Sequence, residues 1–257
     1  MDPGTLRTVD LSAAHEVGQQ IDLSACRYRS DVDAPTPPRY RFMAGLVRTT
    51  GATRVLEIGT FHGGATMAMA SGVDPAVDPQ AVQIVTVDVV RHNDAGFADF
   101  PTIHRVIADS LARSTVDRVV DLFDDHIDLL FVDSGHDYRQ AFENVAVYGN
   151  RLKPRFVLLD DIRLNRSMAR MWSDLADLVR GDAHDVSAIA GRESAGYGLV
   201  EVDYPHVWPE MGSIRHAAWS AYWWLGRTVM PRIPSEARNR VRRIMRGQVV
   251  RTTNEYR

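Results

Sequence analysis

Five strand-length apolar runs recur between residues 54 and 160, and an acidic residue stands at or just after the end of each run. Helix-length amphipathic segments separate the runs; residues 137–152, for example, place Phe142, Val145 and Tyr148 on one side. Alternating buried strands and helices are typical of an α/β fold with a parallel sheet covered on both faces. The predicted strands are residues 54–58, 83–87, 102–107, 127–132 and 155–159, and residues 185–189 and 196–202 are candidates for a final antiparallel pair.

The composition changes at both ends of the chain. Residues 1–38 contain four prolines and one helix-like stretch near residues 12–23, so we expect an N-terminal arm before a domain over residues 39–210. Residues 211–257 hold ten arginines against two glutamates, a net charge of +8, together with Trp219, Trp223 and Trp224. We expect this basic, Trp-rich appendage to pack on the domain, to form a homo-oligomer contact or to lie on a membrane surface.

Charge and cysteine content restrict the class of partner and the compartment. The formal net charge of −3 argues against nucleic acid as a partner of the whole chain. A single cysteine, Cys26, excludes an internal disulfide and fits a reducing compartment. With no signal peptide and no apolar run long enough to span a membrane, the expected location is cytoplasmic.

A glycine-rich loop follows the first predicted strand. Gly59 and Gly63 are four positions apart, which fits neither the G-x-G-x-x-G dinucleotide pattern nor a phosphate-binding P-loop. Glycines allow a ligand to approach the backbone closely, and the helix that follows offers free N–H groups to an anion. We therefore predict a nucleotide-type cofactor site whose contacts come from Glu57, Gly59, Thr60, Phe61, Gly63 and Ala65.

The acids at the strand ends divide by position along the sheet. Asp88, after the second strand, is placed to accept both ribose hydroxyls of an adenosyl cofactor, and Asp109 and Ser110 are placed to meet the adenine amine. Glu57 either anchors the loop or meets an ammonium group of the cofactor. Any one of these acids could instead cap the following helix. Helix capping is a weaker explanation for an acid at the end of all five strands.

Three acids remain after this assignment: Asp133, Asp160 and Asp161. Three carboxylates at adjacent strand ends suit a hard cation such as Mg²⁺, whereas zinc lacks a Cys/His ligand set here. His136 follows Asp133 by three residues and is predicted to be a general base for a substrate hydroxyl, the alternative being a local packing role.

The motifs around these residues resemble a known enzyme family. Residues 55–66, 86–88, 131–138 and 152–162 are similar to class I S-adenosylmethionine (SAM)-dependent methyltransferases of the metal-dependent O-methyltransferase branch. The last two segments resemble the group that includes macrocin O-methyltransferase and enzymes that methylate sugars. The resemblance spans roughly residues 40–203 and implies a Rossmann-like, mostly parallel seven-stranded sheet, with SAM contacts that include Asp133. It also implies Mg²⁺ ligation by Asp133, Asp160 and Asp161.

The sequence departs from the family pattern at several positions. Asp161 replaces the usual asparagine, His136 stands where a catalytic lysine is common, and Arg155 stands where glycine is frequent. Ala65 replaces the serine of the glycine loop, and Thr66 is a candidate to compensate for it.

The expected activity is SAM- and Mg²⁺-dependent methylation of a hydroxyl on a sugar or glycoside, a methylmannose oligosaccharide being one candidate. The alternatives are a catechol or other small-molecule diol as acceptor, or a SAM-binding protein without turnover. Candidate rim residues for the acceptor are Tyr40, His62, Arg163, Asn165 and Arg166.

Overall fold

A seven-stranded sheet forms the centre of the computed structural model, which describes residues 9–26, 37–92 and 94–210. The strands are β1 (Arg54–Ile58), β2 (Gln83–Asp88), β3 (Ile103–Ile107), β4 (Leu129–Val132), β5 (Phe156–Asp160), β6 (Gly181–Asp185) and β7 (Tyr197–Val202). Their order across the sheet is β3-β2-β1-β4-β5-β7-β6. The first five strands are parallel and β7 is antiparallel to both β5 and β6. The predicted Rossmann-like, mostly parallel fold is confirmed.

Helices alternate with the parallel strands. They are α1 (Leu11–Gln20), α2 (Pro38–Thr50), α3 (Gly64–Gly72), α4 (Asp94–Phe97), α5 (Arg113–Phe123), α6 (Tyr138–Leu152) and α7 (Arg166–Leu178), with a short 3₁₀ helix at Pro79–Ala81. The start of α6 is fixed because the Asp137 carboxylate accepts the backbone N–H groups of Arg139 and Gln140. Within the described ranges, no helix has both the length and the apolar character needed to cross a membrane.

The strand register brings the functional loops to one edge of the sheet. Ile58 at the end of β1 is paired with Val87 of β2 and with Val132 of β4, and Val132 is paired with Leu159 of β5. The carboxyl ends of four neighbouring strands are therefore level. The residues that follow these strands lie side by side, where open α/β sheets bind ligands.

The helix predicted in the N-terminal arm packs directly on the domain. A Cβ added to Gly18 of α1 would lie 2.0 Å from the Arg41 carbonyl oxygen, and one added to Gly45 of α2 would lie 1.8 Å from that of Ala14. Only glycine allows the two helix backbones to cross this closely. Residues 1–8, 27–36 and 211–257 lie outside the described residues, so the predicted appendage and the domain boundaries stay predictions.

The predicted strand at residues 185–189 is wrong. Strand β6 covers Gly181–Asp185 and is followed by a turn in which the Ala190 N–H donates to the Val186 carbonyl. The Asp185 carboxylate accepts the backbone N–H of Ser187, which stabilises this turn. The apolar residues of the segment, such as Ile189, pack on the core from a turn, whereas the edge strand is mostly polar.

Candidate active site

A cavity of about 470 Å³ opens at the carboxyl edge of the sheet. It is lined by every residue that the sequence assigns to the cofactor, the metal ion or the general base: Glu57, Gly59, Thr60, Phe61, Gly63, Ala65, Asp88, Asp109, Ser110, Asp133, His136, Asp160 and Asp161. They meet because the parallel strands end level with one another. The structure thus brings the predicted residues together, and the role of each stays a prediction.

The glycine loop approaches the neighbouring strand end very closely. Gly59 has a φ of +100°, and a Cβ at this position would lie 1.9 Å from the carbonyl oxygen of Asp133. The loop is also held from β2, because one carboxylate oxygen of Asp88 accepts the N–H of Thr60 at 2.9 Å and that of Phe61 at 2.8 Å. Asp88 therefore shapes the loop in addition to facing the cavity.

Glu57 is fully buried beneath the same loop. Its Oε2 accepts the hydroxyl of Thr86 at 2.5 Å and the hydroxyl of Thr66 from the start of α3. Burial raises the pKa of the Glu57 carboxyl from 4.5 to about 8, and these two hydroxyl donors oppose the rise. Oε1 has no hydrogen-bond partner among the residues that the structure describes, which leaves one buried acceptor beside the cavity.

Replacing Glu57 by glutamine is expected to flatten the dependence of stability on pH. The pKa of Glu57 is higher in the folded protein than in the unfolded chain. Between pH 4.5 and 8 the carboxyl therefore ionises in the unfolded chain but stays largely protonated in the folded protein, and folding stability decreases as the pH rises through this range. Near pH 8, Glu57→Gln should be more stable than the parent by on the order of a few kcal/mol. Urea unfolding across this pH range measures the difference.

The matched control for this experiment is Glu16→Gln, which removes an exposed carboxylate from α1. Its stability should follow that of the parent at every pH. If Glu57→Gln also follows the parent at every pH, the buried carboxyl is not the group that titrates.

An acidic cluster follows β4 and β5. Burial raises the pKa of Asp133, and the nearby Asp160 carboxylate raises it further. Arg192, from the loop between β6 and β7, donates to both oxygens of Asp160 at 3.1 and 3.2 Å and to Oδ1 of Asp161 at 2.9 Å. A guanidinium therefore lies against two of the three carboxylates that the sequence assigns to a metal ion.

His136 is paired with Asp161. Its Nδ1 lies 3.0 Å from Oδ2 of Asp161, and 46% of the imidazole side chain is exposed. This hydrogen bond raises the pKa of His136 above 6.5. Burial works to raise the pKa of Asp161, but the His136 hydrogen bond and the Arg192 charge outweigh it, and the net pKa is lowered. Asp161 has a φ of +59°, in the left-handed region.

The residues present fit the predicted Mg²⁺ ion poorly. Each oxygen of Asp160 and Asp161 already accepts a donor from Arg192 or His136. Asp133, His136 and Asp161 each offer one ligand atom within 4.8 Å of the others, but imidazole is a ligand of softer ions than Mg²⁺. An octahedral Mg²⁺ shell of carboxylate oxygens would require Arg192 to move away.

The segment that carries most of this site matches a known protein family. Residues 56–162, which include the glycine loop, Asp88, Asp133, His136 and Asp161, match the family model described as "Methyltransferase domain". This segment is therefore similar to a methyltransferase domain. A search of curated proteins found no significant match.

Several solved structures share the fold of this chain. The O-methyltransferase TomG from Streptomyces achromogenes, involved in tomaymycin synthesis and solved with SAM, is 18% identical, with 78% of this chain and 93% of that chain covered and a TM-score of 0.51. An O-methyltransferase from Bacillus cereus, solved with S-adenosylhomocysteine (SAH), is 19% identical over 77% and 94%, with a TM-score of 0.51. SAH-bound PaMTH1 from Podospora anserina is 14% identical over 78% and 99%, with a TM-score of 0.52.

The predicted rim residues separate into two groups. Tyr40 and His62 line the cavity. Arg163, Asn165 and Arg166 are not among the lining residues: Arg163 pairs with Asp185, and Asn165 caps α7 while it donates to the His136 carbonyl at 2.9 Å.

The sequence did not single out Arg192 and Tyr197, which line the cavity from β7 and from the loop before it. One signal was available for Arg192, since adjacent carboxylates at a strand end require a neutralising cation. A basic side chain could supply it as well as a metal ion.

Proposed function

We propose that this protein transfers the methyl group of SAM to a hydroxyl oxygen of a small-molecule acceptor, with a sugar or glycoside as the preferred class. The observation that carries the proposal is the position of the His136–Asp161 pair in the same cavity as the glycine loop. In the reaction the S–CH₃ bond breaks and an O–CH₃ bond forms. The hydroxyl proton passes to His136, and SAH leaves as a neutral thioether.

The cofactor half of the proposed site lies at β1, β2 and β3. Asp88, whose carboxylate also accepts three backbone N–H groups, would accept the ribose hydroxyls, and Asp109 and Ser110 would meet the adenine. The N-terminus of α3 at Gly64 would receive the SAM carboxylate. The buried Oε1 of Glu57, which no described residue hydrogen-bonds, is a candidate acceptor for the SAM ammonium.

The acceptor half lies at β4 and β5. A proton on Nδ1 of His136, donated to Asp161, leaves Nε2 as the acceptor for a substrate hydroxyl proton. The partial exposure of the imidazole gives a substrate access to it. The chain's own contribution is to hold this base in line with the methyl group and to accept the proton.

The finer predictions belong to this proposal. They are a sugar acceptor such as a methylmannose oligosaccharide, a cytoplasmic location, a homo-oligomer, and a Mg²⁺ ion held by Asp133, Asp160 and Asp161 that would acidify the hydroxyl. The contacts of Arg192 with Asp160 and Asp161 count against the ion, so we derive no step through it.

The proposed function is tested by mass spectrometry of SAH and methylated products after incubation with SAM and an acceptor panel. The panel contains mannosides, other glycosides and a catechol. SAH formation with a glycoside supports the proposal. Methylation of the catechol alone would replace the acceptor class, and SAM binding without turnover on any acceptor would indicate the non-catalytic alternative.

Replacing Asp161 by asparagine is expected to shift the acid limb of the pH–rate profile to lower pH. The Asp161 carboxylate raises the pKa of His136, so its removal keeps the imidazole neutral, and able to accept a proton, in more acidic solution. The plateau rate should fall by roughly an order of magnitude, because an amide orients the ring less firmly. Profiles of kcat against pH measure both effects, and an unshifted acid limb would argue against His136 as the titrating base.

A further inference from the structure

The Arg192 side chain pairs with two carboxylates of the cavity. Its Nε and Nη2 donate hydrogen bonds to the two oxygens of Asp160, and Nη2 also donates to Oδ1 of Asp161. The side chains of Asp160, Asp161 and Arg192 are 5%, 8% and 29% exposed. A fork of this kind on a buried carboxylate is the strongest geometry available to arginine, and lysine cannot reproduce it.

The backbone around Arg192 is also fixed. Its N–H donates to the Ser187 carbonyl at 2.8 Å, and its carbonyl accepts the N–H of Gly196 at 2.7 Å. Gly191, with a φ of +63°, packs so closely on Pro38 that a Cβ would lie 2.8 Å from the proline ring. The loop thus presents the guanidinium to the acids from a constrained position.

The chain itself supplies donors to the cluster. Asp160 and Asp161 place two carboxylates beside Asp133; the Arg192 guanidinium pairs with both of them, and His136 donates a hydrogen bond to Asp161. A tethered cation competes with a free ion at a high effective concentration. A divalent ion would have to break the buried guanidinium pair before it could reach these oxygens.

We infer that Arg192 is the resident cation of this site, taking the place at Asp160 and Asp161 that the sequence predicts for a divalent metal ion, so that methyl transfer proceeds without one. Arg192 is a positioning residue: it holds Asp161, which in turn orients His136. Without a metal the acceptor needs no pair of neighbouring oxygens, and a single hydroxyl within reach of His136 suffices. This inference deepens the proposed function and rests on it for the activity measurements alone.

Metal binding gives a test that does not depend on activity. Isothermal titration calorimetry with MgCl₂ and MnCl₂ compares chelator-treated parent protein, Arg192→Gln and Arg113→Gln, which removes an arginine with a 97% exposed side chain on α5. We expect no saturable binding to the parent or to Arg113→Gln, and saturable binding of Mn²⁺ to Arg192→Gln because its acids are released. Saturable Mg²⁺ binding to the parent would overturn the inference, as would a folded Arg192→Gln that binds neither ion.

Activity supplies the second measurement. The parent rate should be unchanged by a chelator, whereas the Arg192→Gln rate in chelator should fall by more than about tenfold and recover in part with added Mg²⁺ or Mn²⁺. A parent rate lost in chelator and restored by Mg²⁺ would overturn the inference. If Arg192→Gln does not fold, the parent measurements decide; if the parent transfers no methyl group, the proposed function fails and the calorimetry still decides the role of Arg192.

Discussion

Gly59→Ala is expected to lower the free energy of unfolding by about 3 to 5 kcal/mol and to abolish cofactor binding. Two effects add: a φ of +100° is strained for any residue with a Cβ, and that Cβ would lie 1.9 Å from the Asp133 carbonyl oxygen. The obstructing atom belongs to the backbone that follows β4, so it cannot turn aside as a side chain would. Thermal unfolding should show a decrease in Tm of roughly 10 °C.

Gly51→Ala separates the two effects. Gly51 ends α2 with a φ of +69°, but a Cβ there would meet no atom of the described part of the chain within 4 Å. This control should lose only the left-handed backbone preference, about 1 to 2 kcal/mol, and should bind SAM normally. Equal losses in the two variants would mean that the loop does not need its close approach to β4.

His136→Ala is expected to reduce kcat by about 10² to 10⁴-fold, the usual contribution of a general base. The structure supports this expectation because His136 combines an exposed ring with a buried orienting carboxylate, Asp161. SAM affinity should stay close to that of the parent, since the proposed cofactor contacts lie at β1, β2 and β3. Single-turnover kinetics together with SAM titration separate the chemical step from binding.

His104→Ala is the matched control for this substitution. His104 is exposed on the edge strand β3 and is not among the residues that line the cavity. Its kcat should equal that of the parent. A His136→Ala protein that retains the parent rate would show that another group, or water, accepts the hydroxyl proton.

The sheet and its functional edge were predictable from the sequence because local patterns determine both. An apolar run indicates each parallel strand, and parallel strands place their carboxyl ends on one edge, so acids at successive strand ends must meet. No long-range information was needed to bring Asp88, Asp133 and Asp160 onto one cavity.

The sequence did not predict the role of Arg192 or the position of β6. In the first case the contacts join residues distant in sequence, and in the second the apolar pattern is weak. Arg192 is more than thirty residues from the acids that it pairs with, and only the course of the β6–β7 loop brings them together. The segment Gly181–Asp185 lacks the apolar alternation of a strand. It lies at the edge of the sheet and is held in a strand conformation by antiparallel pairing with β7. Its neighbours Val186 and Ile189 suggested a strand in the wrong place.

The left-handed backbone at Asp161 limits which residues can stand there. Consecutive residues of an extended strand point to opposite faces, and the turn at Asp161 allows its carboxylate to meet Arg192 beside that of Asp160. Besides glycine, asparagine and aspartate adopt this conformation most readily. Besides glycine, the residues that position 161 tolerates best are therefore asparagine and aspartate. Exchanging one for the other changes the charge of the site and leaves the backbone conformation unchanged.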